Sequence, residues 1–287
     1  MAVDLNTFDA QVIVANCAGL VVNTANQPLG RGGQKAVWSC EYYGAVYVLK
    51  VMVGEPETTE RAKRELEIMR NCQSPHLAKL GPLPLTVLDL GNNDIVLYFL
   101  EELIAGSALN AIVKPFNSAE IKRLGLDVAA AVKLLWSNGY IHRDIKPHNI
   151  MRRAGSTEHV LLDAGIALDF AAVSITQTGN VVGTRAYLSP EQWQLPKRDL
   201  DFRADMFALG ITMYECGTGK HPFWNPAVPA VDVAMNVLNV RAPHPHQFNG
   251  ALNGELCDVI LRLLEKPRHL RYARVEHLED DLNRILI

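Results

Sequence analysis

The apolar residues of this chain change their period once, near Ile104, and that change limits what it can fold into. From Leu20 to Leu100 the sequence runs in short stretches rich in β-branched and aromatic residues, broken by Gly, Pro and Asn. Such stretches have the composition of strands. AVWSCEYYGAVYVLKVMV, starting at Ala36, predicts two strands joined at Tyr43-Gly44. One helix interrupts the series, because TTERAKRELEIMRNC sets Ala62, Leu66 and Met69 at helical spacing. Beyond Ile104 the pattern turns mostly helical. Asn117 followed by Glu120 has the form of a reciprocal N-terminal cap; Ile121, Leu124, Val128, Val132 and Leu135 then keep one apolar face, and Gly139 is the stop. Further helices are expected near 205–216, 229–240, 255–265 and 275–286. Residues 1–19 read equally as a short helix or an edge strand.

At 287 residues, with 48% hydrophobic and 21% charged positions, the chain has ample core-forming material for two such parts. A formal net charge of −3 argues against a general affinity for nucleic acid or anionic membrane. Arg61, Lys63 and Arg64 alternate with glutamates and read as a solvated helix face. Cys17, Cys40, Cys72, Cys216 and Cys257 are scattered with no C-x-x-C pair, the spacing of reduced thiols and not of disulfides or a zinc site. The start carries no signal-peptide pattern, and no apolar run approaches the ~20 residues a bilayer span needs. The expectation is a cytoplasmic protein without a membrane span.

The chemistry concentrates in His142-Arg143-Asp144-Ile145-Lys146-Pro147-His148-Asn149. Phosphoryl transfer needs a carboxylate to orient and deprotonate the attacking hydroxyl, cations against phosphate charge, and hard oxygens for Mg2+. Asp144 supplies the carboxylate, Lys146 a cation and Asn149 a neutral oxygen. A plain polar loop after a helix is the competing account, and a match at every ordered position makes it the weaker one.

This run resembles the catalytic loop of the protein kinase family, nearest in flavour to the bacterial eukaryotic-like Ser/Thr kinases, and the family's other parts follow in their usual order. Leu29-Gly30-Arg31-Gly32-Gly33-Gln34-Lys35-Ala36-Val37 is similar to the glycine-rich nucleotide loop, with Lys35 where the family has its third glycine. Lys50 closes the next strand as the family's phosphate-contacting lysine, and Glu65 stands where its carboxylate partner is expected. The resemblance extends nucleotide binding to Glu102 and Met151. It makes Asp163, in Asp163-Ala164-Gly165, a metal ligand alongside Asn149, although the aromatic residue usual between aspartate and glycine is reduced to Ala164. Residues 174–192 resemble an activation segment, with Thr176 and Thr178 as phosphosites, Arg143 as the group that pairs with their phosphate, and Thr184 near the substrate. Asp205 is similar to the aspartate that ties down the catalytic loop, and Glu191 and Arg271 to a buried structural ion pair.

The resemblance therefore implies an α+β, bilobal, protein-kinase-like fold: a β-rich N-lobe over 20–101 with one regulatory helix, a larger mainly helical C-lobe over 102–287, and an unassigned extension over 1–19. It implies ATP, Mg2+ (with Mn2+ as a substitute) and protein substrates. Lys146 and Thr184 point by the same analogy to serine and threonine acceptors. Regulation then falls to a partner, to homodimerisation or to the first 19 residues. Two other readings stand beside an active enzyme. Ala164 and Lys35 suit a pseudokinase that only binds nucleotide. A small-molecule kinase of related fold would lack the G-T…S-P-E segment that this chain carries from Gly183 to Glu191.

Overall fold

The computed structural model describes residues 3–22, 28–32, 35–92, 94–163, 185–194, 199–225 and 229–287. They fall into two units, Met1–Gln73 with Ala78–Ile104, and Ser74–Leu77 with Ala105–Ile287.

In the first unit Tyr43 and Gly44 both take positive φ, 47° and 81°. That is the backbone of a two-residue type I′ turn, whose twist matches that of paired strands. It folds β3 (Lys35–Tyr42) against β4 (Ala45–Val53). With β1 (Leu20–Val22), β2 (Gly30–Gly32), β5 (Thr86–Asp89) and β6 (Ile95–Glu102) they form an antiparallel sheet ordered β1-β3-β4-β6-β5, β2 also pairing with β3.

Side chains alternate across this sheet, so each face has its own cover. Met52, Leu97 and Phe99 pack against Ala62, Leu66 and Met69 of helix α2 (Pro56–Asn71), the three residues whose spacing predicts that helix. Leu49, Val51, Val96, Tyr98 and Leu100 on the other face cluster with Leu5, Ala10, Ile13 and Cys17. Residues 3–19 therefore contribute to the core of this unit through Leu5, Ala10, Ile13 and Cys17. Their helical part is α1 (Gln11–Val14), and Phe8 sets its ring edge-on to Trp38 at 6.2 Å. Burying Ile13 completely contributes roughly 1.5–3 kcal/mol as an upper estimate.

The second unit is mainly helical. Its small antiparallel sheet runs β7 (Gly106–Ala108), β8 (Ile150–Arg153), β9 (His159–Leu161). Helix α3 (Ser118–Ser137) starts on the capping box expected at Asn117: Glu120 N–H donates to Asn117 Oδ1 at 2.9 Å, and Asn117 N–H to Glu120 Oε2 at 3.0 Å. It ends before Gly139, at φ 81°. After the short α4 (Pro190–Gln194), α5 (Arg203–Thr218) is buried on all sides and forms the centre of the unit. Helix α3 packs against α5 and against α8 (Val275–Arg284). At Gly125 a Cβ would sit 2.9 Å from both Leu282 and Met213, so glycine lets these helices approach. Helices α6 (Ala230–Asn239) and α7 (Gly254–Leu263) complete the series near their expected positions.

The stretch 217–221, which looks superficially like a phosphate loop, is the end of α5, with Gly219 at φ 70° as its left-handed cap. All five cysteines are buried and unpaired. Among the described residues no helix is long and apolar enough to cross a membrane.

Candidate active site

In the first unit Lys50 is the one charged side chain on an otherwise apolar stretch of β4. Alternation along Leu49-Lys50-Val51 sends it to the face covered by α2, where it is 1% exposed. Helix α2 brings up Glu65, itself fully buried, and Lys50 Nζ lies 2.6 Å from Glu65 Oε1. A second carboxylate, which the sequence reading did not single out, lies equally close: Glu101 Oε1, also at 2.6 Å. The β4–β6 register pairs Lys50 with Phe99 and Val48 with Glu101, so Glu101 is on the lysine's face while Glu102 points to the other. The ammonium also lies 5.3 Å from the centre of the Phe99 ring.

Gly30 pairs with Val37 and Gly32 with Lys35 across β2 and β3. Nothing lies within 4 Å of a Cβ added at Gly30, so that strand is open on its approach. Glu102 closes β6, its N–H donating to Lys79 O at 2.8 Å.

In the second unit the run from His142 to Asn149 is held mainly through its backbone. Asp205, in the first turn of α5 and 1% exposed, accepts His142 N–H at 2.8 Å and Arg143 N–H at 2.7 Å, one on each oxygen. Arg143 takes φ 68° there, a conformation that costs a non-glycine residue and persists where its surroundings impose it. Burial pushes the Asp205 carboxyl above its ordinary range, against the two N–H donors and the neighbouring His142. The buried His142 ring bonds Leu162 O at 2.9 Å through Nε2 and accepts Asp144 N–H at Nδ1 at 3.3 Å. One ring thus joins the loop to Leu162, the residue before Asp163.

Two side chains converge on Asp144. Lys146 Nζ lies 2.8 Å from each carboxylate oxygen. Asn149 Nδ2 donates to Asp144 Oδ2 at 2.7 Å and to Asp144 O at 2.9 Å. Since the amide nitrogen is committed to Asp144, the amide oxygen is the atom that Asn149 can offer a cation. Leu162 N–H donates to Asn149 O at 2.8 Å, a backbone bond one residue before Asp163, which takes φ 57°. A carboxylate and an amide oxygen are hard donors of the kind Mg2+ takes, so the residues present suit that ion. Burial, and then Lys146, hold the His148 imidazole below its usual range.

Met151 lies in β8 between Ala108 and Val160. Glu191 opens α4 and meets Arg271 in a two-pronged ion pair of 2.6 and 2.9 Å, and Gln192 donates to Arg143 O at 3.3 Å. Gly33, Ala164, Gly165, Thr176, Thr178 and Thr184 lie outside the described residues.

A family model described as protein kinase domain matches residues 24–282. The chain is 31% identical over 268 residues to a probable serine/threonine-protein kinase of Clostridium perfringens, covering 90% of this chain and 37% of that protein. It is 27% identical over 266 residues to the serine/threonine-protein kinase PrkC of Bacillus subtilis, covering 88% and 39%. Against the serine/threonine-protein kinase PknB of Mycobacterium leprae it is 34% identical over 209 residues, covering 71% and 31%. The chain spans less than two fifths of the length of these curated relatives.

Proposed function

Because the chain belongs to the protein kinase family, we propose that it transfers the γ-phosphoryl group of ATP to serine and threonine hydroxyls of protein substrates, its own activation segment included. The observation that carries this reading is the Asp144 carboxylate gripped by Lys146 and Asn149 on a loop anchored to Asp205.

Asp144 accepts the proton of the attacking hydroxyl and orients it. Lys146, bonded to Asp144 here, sets a positive charge beside the group being transferred. Lys50, paired with Glu65, contacts nucleotide phosphate, and Gly30, Gly32, Gly33, Val37, Glu102 and Met151 surround the nucleotide. The Asn149 amide oxygen and the Asp163 carboxylate hold a divalent cation, Mg2+ or Mn2+ in its place, which neutralises phosphate charge when bound. Asp205 keeps the loop in its posture, and Glu191 and Arg271 brace the segment beyond it. Phosphate on Thr176 or Thr178 pairs with Arg143, and Thr184 lies near the acceptor. The protein works in the cytoplasm, regulated through a partner or a second copy of itself.

A nucleotide-binding module without transfer is the second reading, favoured by Ala164 and Lys35. One experiment separates them. Purified protein is incubated with Mg2+ and ATP and weighed by intact mass spectrometry, with Asp144→Asn as the control. Added phosphate on the wild type and none on the variant is the expected result. ATP binding with no phosphate on the protein or on a generic acceptor would leave only the binding module.

A further inference from the structure

Glu101 has no part in the roles assigned so far, yet it touches Lys50 as closely as Glu65 does. All three groups are nearly inaccessible, at 1, 0 and 6% exposure for Lys50, Glu65 and Glu101. Each carboxylate sits on a different scaffold, Glu65 on α2 and Glu101 on β6, so the ammonium is held from two sides. One ammonium between two carboxylates leaves the trio with a formal charge of −1. A polyphosphate that approaches such a lysine meets net repulsion, and in a buried site that repulsion is screened far less than in water.

We propose that Glu101 is an internal competitor for Lys50: its carboxylate occupies the lysine as a phosphate would, and nucleotide phosphate must displace it. This rests on the reading that Lys50 contacts nucleotide phosphate. Glu101 then sets phosphate affinity, while Glu65 keeps the lysine in register with α2 once Glu101 has let go. The alternative, in which Glu101 merely props Lys50 in place, predicts the opposite sign: removing a prop weakens nucleotide binding, and removing a competitor tightens it.

The test is calorimetric titration of the full chain and of Glu101→Gln with Mg·ATP, Mg·ADP and adenosine. Gln keeps the shape and an acceptor oxygen but loses the charge. The expected result is a Kd for ATP about tenfold lower in the variant, the scale of one partly screened contact charge, with a smaller gain for ADP and adenosine within about twofold. A purely structural role would move all three ligands together. Glu101→Met repeats the charge removal with an apolar side chain of similar length. If neither variant folds by circular dichroism, Glu101 is a structural counter-ion and the inference is overturned. ATP binding that Glu101→Gln leaves unchanged or weakens overturns the inference alone. Absence of ATP binding in every form would overturn the nucleotide reading as well.

Discussion

Arg271 offers a sharp test of how the second unit is held together. The residue is 2% exposed, and all five N–H groups of its guanidinium have acceptors. Two go to the Glu191 carboxylate at 2.6 and 2.9 Å; the others go to the carbonyls of Arg203 at 2.8 Å, Glu265 at 2.8 Å and Lys266 at 3.1 Å. The Phe207 ring lies 4.7 Å beneath it. Arg271→Met removes the cation and every one of these donors while keeping an unbranched side chain. It leaves Glu191, at 5% exposure, without its charge partner, and breaking a buried pair in this way costs about 3–5 kcal/mol. For a unit of this size that corresponds to a Tm lowered by roughly 6–20 °C. Urea and thermal unfolding at pH 7 measure the loss. Adding Glu191→Met removes the stranded carboxylate as well, so the double variant should be more stable than the sum of the single losses by ~1–3 kcal/mol. A loss under ~1 kcal/mol for Arg271→Met, or strict additivity in the double variant, would refute this account of the pair.

The other predictions test single contacts. Asp205→Asn keeps the shape but turns a donor toward one of the two backbone N–H groups, so kcat should fall at least ~100-fold while the ATP Kd changes less than ~3-fold; an unchanged kcat would show that the anchor is dispensable. Asn117→Ala removes the acceptor for Glu120 N–H and should cost about 1 kcal/mol in urea unfolding; a cost near zero would show that α3 does not depend on its cap. Burial lowers the His221 imidazole from 6.5 to about 4. Between those values the unfolded ring takes up a proton that the folded ring refuses, so stability falls as pH falls through that window. The loss is at most ~3–4 kcal/mol, and the ring's partial exposure argues for less. His221→Gln should flatten that part of the stability–pH curve, and an unchanged slope would exclude the ring as its source.

Much of the architecture was legible because its signals are local. Two strand-like apolar runs broken only at Tyr43-Gly44 are a local hairpin signal, and Asn117 with Glu120 caps a helix without help from distant residues. The run from His142 to Asn149 was legible for a related reason: its contacts with Asp144 span at most five residues. Glu101 was not legible. Two adjacent acids end an apolar strand, and alternation sends one to each face, but which one meets Lys50 depends on the β4–β6 register. That register pairs residues about fifty positions apart, so no local pattern carries it. The first 19 residues escaped for another reason. One helical turn is too short to show a period, and what fixes it is burial of Leu5, Ala10, Ile13 and Cys17 with Trp38.

The two units solve the same mechanical problem with different chemistry. On the proposed function Lys50, Asp144, Lys146 and Asn149 exchange partners during a reaction, and a side chain that does so should not be the sole support of its backbone. In the first unit the support is apolar: Leu49 and Val51, on either side of Lys50, are fully buried with the amino-terminal segment, so the strand stays fixed while the ammonium faces α2. In the second unit the support is polar: Asp205 binds backbone N–H groups, and the His142 ring binds one carbonyl and one N–H; of Asp144, Lys146 and Asn149 only Asn149 adds to this anchoring, through Nδ2 to Asp144 O at 2.9 Å. Lys146 and Asn149 both bond to the Asp144 carboxylate, and on the proposed function one incoming phosphate or cation redistributes these bonds while Asp205 and His142 hold the loop. The anchoring residues should therefore be intolerant of change even where they touch no substrate. Losing Asp205 would free the backbone of His142 and Arg143 together, and with it the geometry on which Asp144 depends.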